Sequence, residues 1–492
     1  MNIKNIKSLL VLMLLPLAIS ISGCDKKQES ESTNKSEDNN TEPVEEPVIT
    51  SREFRASIKT DYQGEKSSSY LSYKFDLEDF INVTDEPNKN IARMSILFDA
   101  NISAHAQVGI SNAEYAITGY SDEENFYKNL GLDGLEKIDV SSSNSEDVND
   151  VSRLNIAHKA FNGHDICFIT IIDSGLGNSW ISNFDVGIDD ESYYSKTGEH
   201  TEWTNKDNHK GFDITGNRII NLINDYKNRV LDKNSQQIFY VFGHSRGGAL
   251  ANIVGAKLVD LNYKVVSYGL ASPAVTTSEN ASLDKYKHLY SYVNDEDAIT
   301  KLLKPEWGFT RYGVTYHFSI KDYLESFKAC NGYDFPSSNN SFDIAAMLAS
   351  LCDGRDGIYQ FADRFTVATS GSLQPSGVGS YINNILSPLS GKYEILKNFV
   401  ECQQIENTDG TIIVKVRACP GFLITFFGML ISQVTEEVST SAMMSEFMTL
   451  RTYLNCFMNA AGIKLTDLMG FSADYFIVCH SFPSYLTYVH LL

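Results

Sequence analysis

Gln237-Ile-Phe-Tyr-Val-Phe242 leads straight into Gly243-His244-Ser245-Arg246-Gly247, and that into Gly248-Ala-Leu-Ala-Asn-Ile-Val254. The first run is apolar and aromatic and reads as a strand. The last carries the small and aliphatic residues of a helix. Between them lies a sharp turn with one serine at its apex. An isolated serine hydroxyl is a poor nucleophile. Such a turn exposes it at the end of a strand, where a base can reach it and backbone N–H groups can face a reacting carbonyl. Gly243, Gly247, Gly248 and Ala249 are the small residues that a close approach of strand and helix requires. The pattern G-x-S-x-G recurs by chance in chains rich in Gly and Ser, where it marks an ordinary turn. The flanking strand and helix make Ser245 a candidate nucleophile.

Outward from this turn the chain alternates. Asp165 to Ile172 is a nearly continuous apolar run, as in a strand buried on both faces. Phe212 to Arg229 has helical spacing, residues 246–261 form the helix behind the serine, and strands follow at Lys264 to Tyr268 and His288 to Val293. Further upstream, Asn90 to Ala104 and Glu123 to Leu130 read as helices. Strands alternating with helices predict a mainly parallel sheet in an α/β domain. Residues 318–470 break the rhythm, with Ser/Asn/Gly loops at 336–341 and 370–380 and several helix-like segments, and they predict a large, mostly helical insertion. It includes the apolar piece Gly421 to Ser432, too short to span a membrane. That piece reads either as a core helix or as a lid with a lipid-facing surface.

The 492 residues carry a net charge of −21, which argues against a nucleic-acid partner. The N-terminus places Lys4 and Lys7 before the apolar run Leu9 to Ile21, which ends in Ser22-Gly23-Cys24. This is the layout of a secretory signal, residues 1–23. Its ending resembles a bacterial lipobox, in which Cys24 is the lipidated first residue. Residues 24–50 are polar and acidic and read as a disordered tether. The globular part is then 51–492, held outside the cytoplasm on a membrane. Seven cysteines remain beyond Cys24, an odd number for an exported chain. Cys167 and Cys479 lie in apolar runs as small buried side chains, while Cys402/Cys419 and Cys330/Cys352 are candidate bridges. No Cys/His cluster suggests zinc.

A serine nucleophile needs a base, an orienting carboxylate and oxyanion donors. In α/β-hydrolases they follow in the order Ser, Asp/Glu, His. Downstream histidines are His288, His317, His480 and His490. Acids at a strand end cluster in Val293-Asn-Asp-Glu-Asp-Ala-Ile299. Order and placement leave Asp295, Glu296 or Asp297 with His317 or His480. The bland readings are an Asx turn for Asp297 and a buried structural histidine for His480.

These residues resemble the class 3 lipases, the fungal-lipase-like branch of the α/β-hydrolases. The elbow reads Gly-His-Ser-Arg-Gly-Gly-Ala, with Arg246 in place of the usual leucine. His209-Lys-Gly-Phe212 matches H-x-G-F ahead of the elbow strand. Val293-Asn-Asp-Glu-Asp297-Ala-Ile matches V-N-x-x-D-x-V, and Trp307-Gly308-Phe309 with Gly313 matches the stretch downstream of it. His480-Ser-Phe-Pro-Ser-Tyr485 resembles the bacterial H-S-x-x-x-Y. The resemblance implies Asp297 as the acid and His480 as the base. It also implies an oxyanion hole from the backbone N–H groups of Arg246 and Ser174, no cofactor or metal, and acylglycerol esters as substrates. A phospholipase A-type acyl hydrolase and a non-catalytic surface lipoprotein of the same fold are the alternatives. Two departures stand out. The usual Arg-Gly of the oxyanion strand is Ile172-Asp173, and about 180 residues separate Asp297 from His480.

Overall fold

The computed structural model describes residues 50–60, 68–103, 105–111, 119–120, 123–140, 152–173, 205–301, 303, 308–337, 366–369, 400–406, 412–418 and 473–492. Its centre is a seven-stranded sheet. Five strands run parallel: β7 (His164–Ile171), β8 (Gln236–His244), β9 (Lys264–Leu270), β10 (Leu289–Asn294) and β11 (Val314–Phe318). β5 (Asp133–Val140) and β6 (Ser152–Phe161) extend it antiparallel beyond β7, giving the order β11-β10-β9-β8-β7-β6-β5. Asn162 and Gly163, both at positive φ (47° and 76°), make the tight β6–β7 turn, and this Asn-Gly pair is the strongest short hairpin signal a sequence carries.

Alternate side chains of each strand enter two cores, because successive residues point to opposite faces. Ile238, Tyr240 and Phe242 face one side of the sheet. There they meet helix α2 (Lys89–Ile102) and the C-terminal helix α8 (Phe482–Leu491). Phe239 and Val241 face the other, against α4 (Lys210–Arg229) and α5 (Arg246–Asp260). Each fully buried side chain of this size contributes about 1.5–3 kcal/mol, so the sheet is fixed from both faces. This is an α/β-hydrolase architecture. The helices expected at Asn90, Glu123 and Phe212 are α2, α3 (Glu123–Asn129) and α4. Asn88 caps α2, its side chain accepting from the N–H groups of Asn90 and Ile91.

A second sheet, β2-β1-β3-β4, is formed by β1 (Ser51–Thr60), β2 (Leu71–Asp76), β3 (Ala106–Ser111) and β4 (Gly119–Tyr120), with the short α1 (Leu77–Ile81) after β2. It is antiparallel throughout. Its inner face (Ala56, Ile58, Tyr73, Phe75) joins the core around Phe168 and Tyr240.

Within 318–470 the described residues hold a 3-10 helix (Ile320–Tyr323) leading into one α-helix, α6 (Leu324–Asn331), and a three-stranded antiparallel sheet of β12 (Thr366–Thr369), β14 (Ile412–Ala418) and β13 (Val400–Glu406). Most of the insertion expected to be largely helical lies outside the described residues. The β-branched run Ile412-Ile-Val-Lys-Val416 favours a strand. Residues 421–432, the candidate lid, lie outside the described residues, as do Cys24, the tether up to residue 49 and Ser174. Cys330 is a buried free thiol, as are Cys167 and Cys479, and its candidate partner Cys352 lies outside the described residues. The Cys402/Cys419 pairing falls outside the described residues. Among the described residues no helix is long and apolar enough to cross a membrane.

Candidate active site

Ser245 occupies the turn between β8 and α5 at φ 57°, ψ −123°. A side chain there costs of order 1–3 kcal/mol in backbone strain and persists only where the surroundings over-determine it. They do. A Cβ at Gly243 would run into the carbonyl of Gly247, and one at Gly247 into the carbonyl of Ile171. β8, α5 and the end of β7 therefore meet backbone to backbone. The Ser245 N–H is tied to the Leu270 carbonyl at 2.8 Å, and its own carbonyl accepts from Ala249 at 3.0 Å, starting the helix. The serine is thus held at the carboxyl end of the sheet, at the N-terminus of α5, where the helix dipole favours negative charge.

His480 closes helix α7 (Ala473–His480), at the far end of the chain. Its Nε2 lies 2.8 Å from Ser245 Oγ and its Nδ1 lies 2.8 Å from Asp297 Oδ2. A carboxylate oxygen only accepts, so Nδ1–H donates to it and the Nε2 lone pair faces the serine hydroxyl. Asp297, fully buried just beyond β10, accepts twice more. The Tyr485 hydroxyl donates to Oδ2 at 2.8 Å and the Ile299 N–H donates to Oδ1 at 2.9 Å. The second bond is the Asx turn of the bland reading. Asp297 makes it with one oxygen and holds the imidazole with the other. Burial and the neighbouring Asp297 push the Tyr485 hydroxyl well above its ordinary value, so it stays a donor.

The other candidates of the 295–297 cluster have different partners. Asp295 Oδ1 contacts His317 Nδ1 at 3.0 Å, both side chains more than half exposed. Glu296 accepts from the Ser319 hydroxyl and the Ile320 N–H. His209 caps α4, its Nδ1 accepting from the Phe212 N–H at 3.4 Å. Arg246 is buried and its Nη2 donates to Thr215 Oγ1 at 3.2 Å, so this side chain ties α5 to α4 and its backbone N–H opens the helix beside the serine. Asp173, two residues past β7, accepts from Ser103 Oγ at 2.8 Å. Beside it Asp99 is buried on α2 with neither carboxylate oxygen hydrogen-bonded, and burial together with Asp173 raises its carboxyl well above the usual range.

Four surrounding residues have ties that the sequence does not specify, although for His244 it implies packing or a hydrogen bond beside the elbow, with no role as a base. Asn294 donates from Nδ2 to the Cys479 carbonyl, and its Oδ1 accepts from Ile320 N–H. His244 Nε2 lies 2.8 Å from the His480 carbonyl. Arg311 holds the carbonyls of Ser272 and Thr300, with its value lowered to about 10 by burial against the pull of Tyr485 and Asp297. Asp99 is the fourth. Only Asn294 and His244 sit inside quoted motifs; nothing local to Arg311 or Asp99 marks them.

Residues 177–306 match the family model described as Lipase (class 3). A search of curated proteins found no match. Among solved structures the chain is similar to the Lip2 lipase of Yarrowia lipolytica (16% identity, 37% of this chain and 65% of that one, TM-score 0.28). It is also similar to a triacylglycerol lipase of Penicillium expansum (13%, 38% and 71%, 0.26). A third is the mono- and diacylglycerol lipase of Aspergillus oryzae (17%, 37% and 62%, 0.27). The chain spans just under two thirds of the Yarrowia and Aspergillus lipases. Likenesses at this level decide nothing about substrate.

Proposed function

We propose that the chain is a serine-dependent carboxylic ester hydrolase of lipase type. The observation that carries this is the unbroken hydrogen-bonded line from Ser245 through His480 to Asp297, with the serine at a strained turn. Ser245 Oγ attacks the ester carbonyl while His480 Nε2 takes its proton. The imidazolium then gives that proton to the leaving alcohol, and Asp297 stabilises it meanwhile. The Arg246 N–H at the start of α5 receives the developing oxyanion, with Ser174 proposed as the second donor. Water, activated by the same imidazole, releases the acid. The class 3 match favours acylglycerol esters; phospholipid acyl esters engage the same residues.

Hydrolysis of a soluble short-chain p-nitrophenyl ester, blocked by a fluorophosphonate, tests the reading, and a screen of lipid classes then ranks substrates. Ser245→Ala is expected to lose roughly 10⁵–10⁶-fold in kcat and all labelling. Labelling at another serine overturns it, and a wild-type chain that neither turns over nor labels favours the non-catalytic alternative.

The proposed setting is outside the cytoplasm, held to a membrane through lipidated Cys24. Cys24→Ser is expected to release an active protein into the soluble fraction, because the polar tether has no apolar surface of its own. Retention of a processed Cys24→Ser protein would reject this anchor.

A further inference from the structure

The base of the proposed site stands at the C-terminal end of a helix, where the last carbonyls have no partners within the helix. Three side chains supply them. The Ser484 hydroxyl donates to the Val478 carbonyl, Asn294 Nδ2 to that of Cys479 at 2.9 Å, and His244 Nε2 to that of His480 at 2.8 Å. Ser484 is local, but the other two come from the sheet. Asn294 ends β10, three residues before Asp297, and His244 ends β8, directly before Ser245. Each strand that supplies the base with a partner therefore also holds the base's own helix by the backbone.

The His244 contact is specific in chemistry as well as in place. A carbonyl accepts only, so the hydrogen must sit on Nε2 and Nδ1 is bare. The ring is 5% exposed. It stacks on Phe482 at 4.4 Å and 28° and meets the edge of Tyr485 at 5.9 Å. Its Nδ1 is buried without a hydrogen-bond partner. Burial, with the nearby His480, lowers the ring to about 4, which keeps it neutral and in the donor form at ordinary pH. A neutral donor grips the carbonyl without placing a competing charge against an imidazolium forming next to it.

We infer that His244 is a positioning residue: with Asn294 it clips the backbone of His480 to the strand carrying the nucleophile, and so sets the Ser245–His480 separation. This rests on the hydrolase reading above. The distance between base and nucleophile matters steeply, since a displacement of about 1 Å is enough to lose roughly 10²-fold in rate.

His244→Gln and His244→Met test it as a matched pair, similar in size and flexibility, of which only glutamine keeps an N–H donor. With p-nitrophenyl butyrate, His244→Met is expected to lose roughly 10²-fold in kcat with KM within about twofold, and His244→Gln to recover most of that loss. The ring ¹⁵N shifts of His480 should move in the methionine variant and return toward wild type in the glutamine one. Both variants should share one melting temperature. Equal kcat in the two variants, or losses that follow melting temperature, would overturn the clip and leave the hydrolase reading intact. If the wild-type chain hydrolyses no ester and takes no fluorophosphonate, the hydrolase reading falls. The ¹⁵N shifts still decide the clip, and unchanged His480 shifts in His244→Met reject it.

Discussion

Asp297 and Asp99 are both buried carboxyls, and the chain surrounds them in opposite ways. Asp297 sits where β10 ends and receives three hydrogen bonds, from His480, Tyr485 and the Ile299 N–H. Asp99 sits on α2 beside Asp173, a second carboxyl, with no hydrogen bond to either of its oxygens. Removing a carboxylate from water is expensive unless donors replace the solvent. At Asp297 three donors stand in for the solvent, an arrangement that suits the role proposed for it beside the imidazole. At Asp99 there is none, and the group is pushed toward its neutral acid. Donor count, not depth, separates the acid suited to a reaction from one that burdens the fold.

The largest effect expected from this contrast is at Asp297 itself. Asp297→Asn removes the charge and offers His480 Nδ1 an amide that can reverse its tautomer, so kcat on the soluble ester should fall about 10⁴-fold. Asp295→Asn alters the exposed pair that the preceding acid of the same loop makes with His317. It should leave kcat within about twofold, since exposed pairs contribute little. Comparable losses in the two variants would mean that the acid has been wrongly chosen.

That choice shows how far the sequence could be read. The elbow was legible because strand, turn and helix are contiguous. The acid was legible only as a cluster, because Asp295, Glu296 and Asp297 share one local setting. They differ in contacts with Ser319, Ile320, His317 and His480, all distant in the chain. His480 was reached by family pattern, across an interval whose length no local rule predicts. The β6–β7 turn at Asn162-Gly163 and the alternation Phe54, Ala56, Ile58 in β1 were legible signals of the N-terminal strands and went unread. The ties made by His244 and Arg311 were not legible, since they depend on which carbonyls the fold leaves unpartnered.

A smaller effect is expected at Tyr485. Its hydroxyl shares Asp297 Oδ2 with the imidazole and also accepts from the Asn294 N–H at 3.2 Å. Tyr485→Phe keeps the ring between His244 and Phe318 and removes one donor from the acid. A hydrogen bond to a charged group contributes about 1.5–3 kcal/mol, so kcat should fall on the order of 10–100-fold with KM nearly unchanged. An unaltered kcat would show that two donors suffice, weakening the donor-count explanation of the contrast.

The smallest effect is at Asp99 and concerns stability. Its carboxyl is raised, first by burial and then by Asp173. Such a group binds its proton more tightly folded than unfolded. Its contribution is therefore fully present below the ordinary carboxyl value, about 4, and is lost as pH rises through the raised value. Asp99→Asn keeps the shape and cannot ionise. Near pH 4 the two proteins should melt together, or the variant slightly lower, because the amide inherits the same lack of partners. Toward pH 8 the wild-type melting temperature should fall further than that of Asp99→Asn. The gap should be a few degrees, as follows from the roughly 1–3 kcal/mol of an unsatisfied buried group. Scanning calorimetry of both proteins between pH 4 and 8 measures this directly. Parallel curves would mean that Asp99 finds a proton or a partner at every pH, and its difference from Asp297 would then not lie in hydrogen bonding.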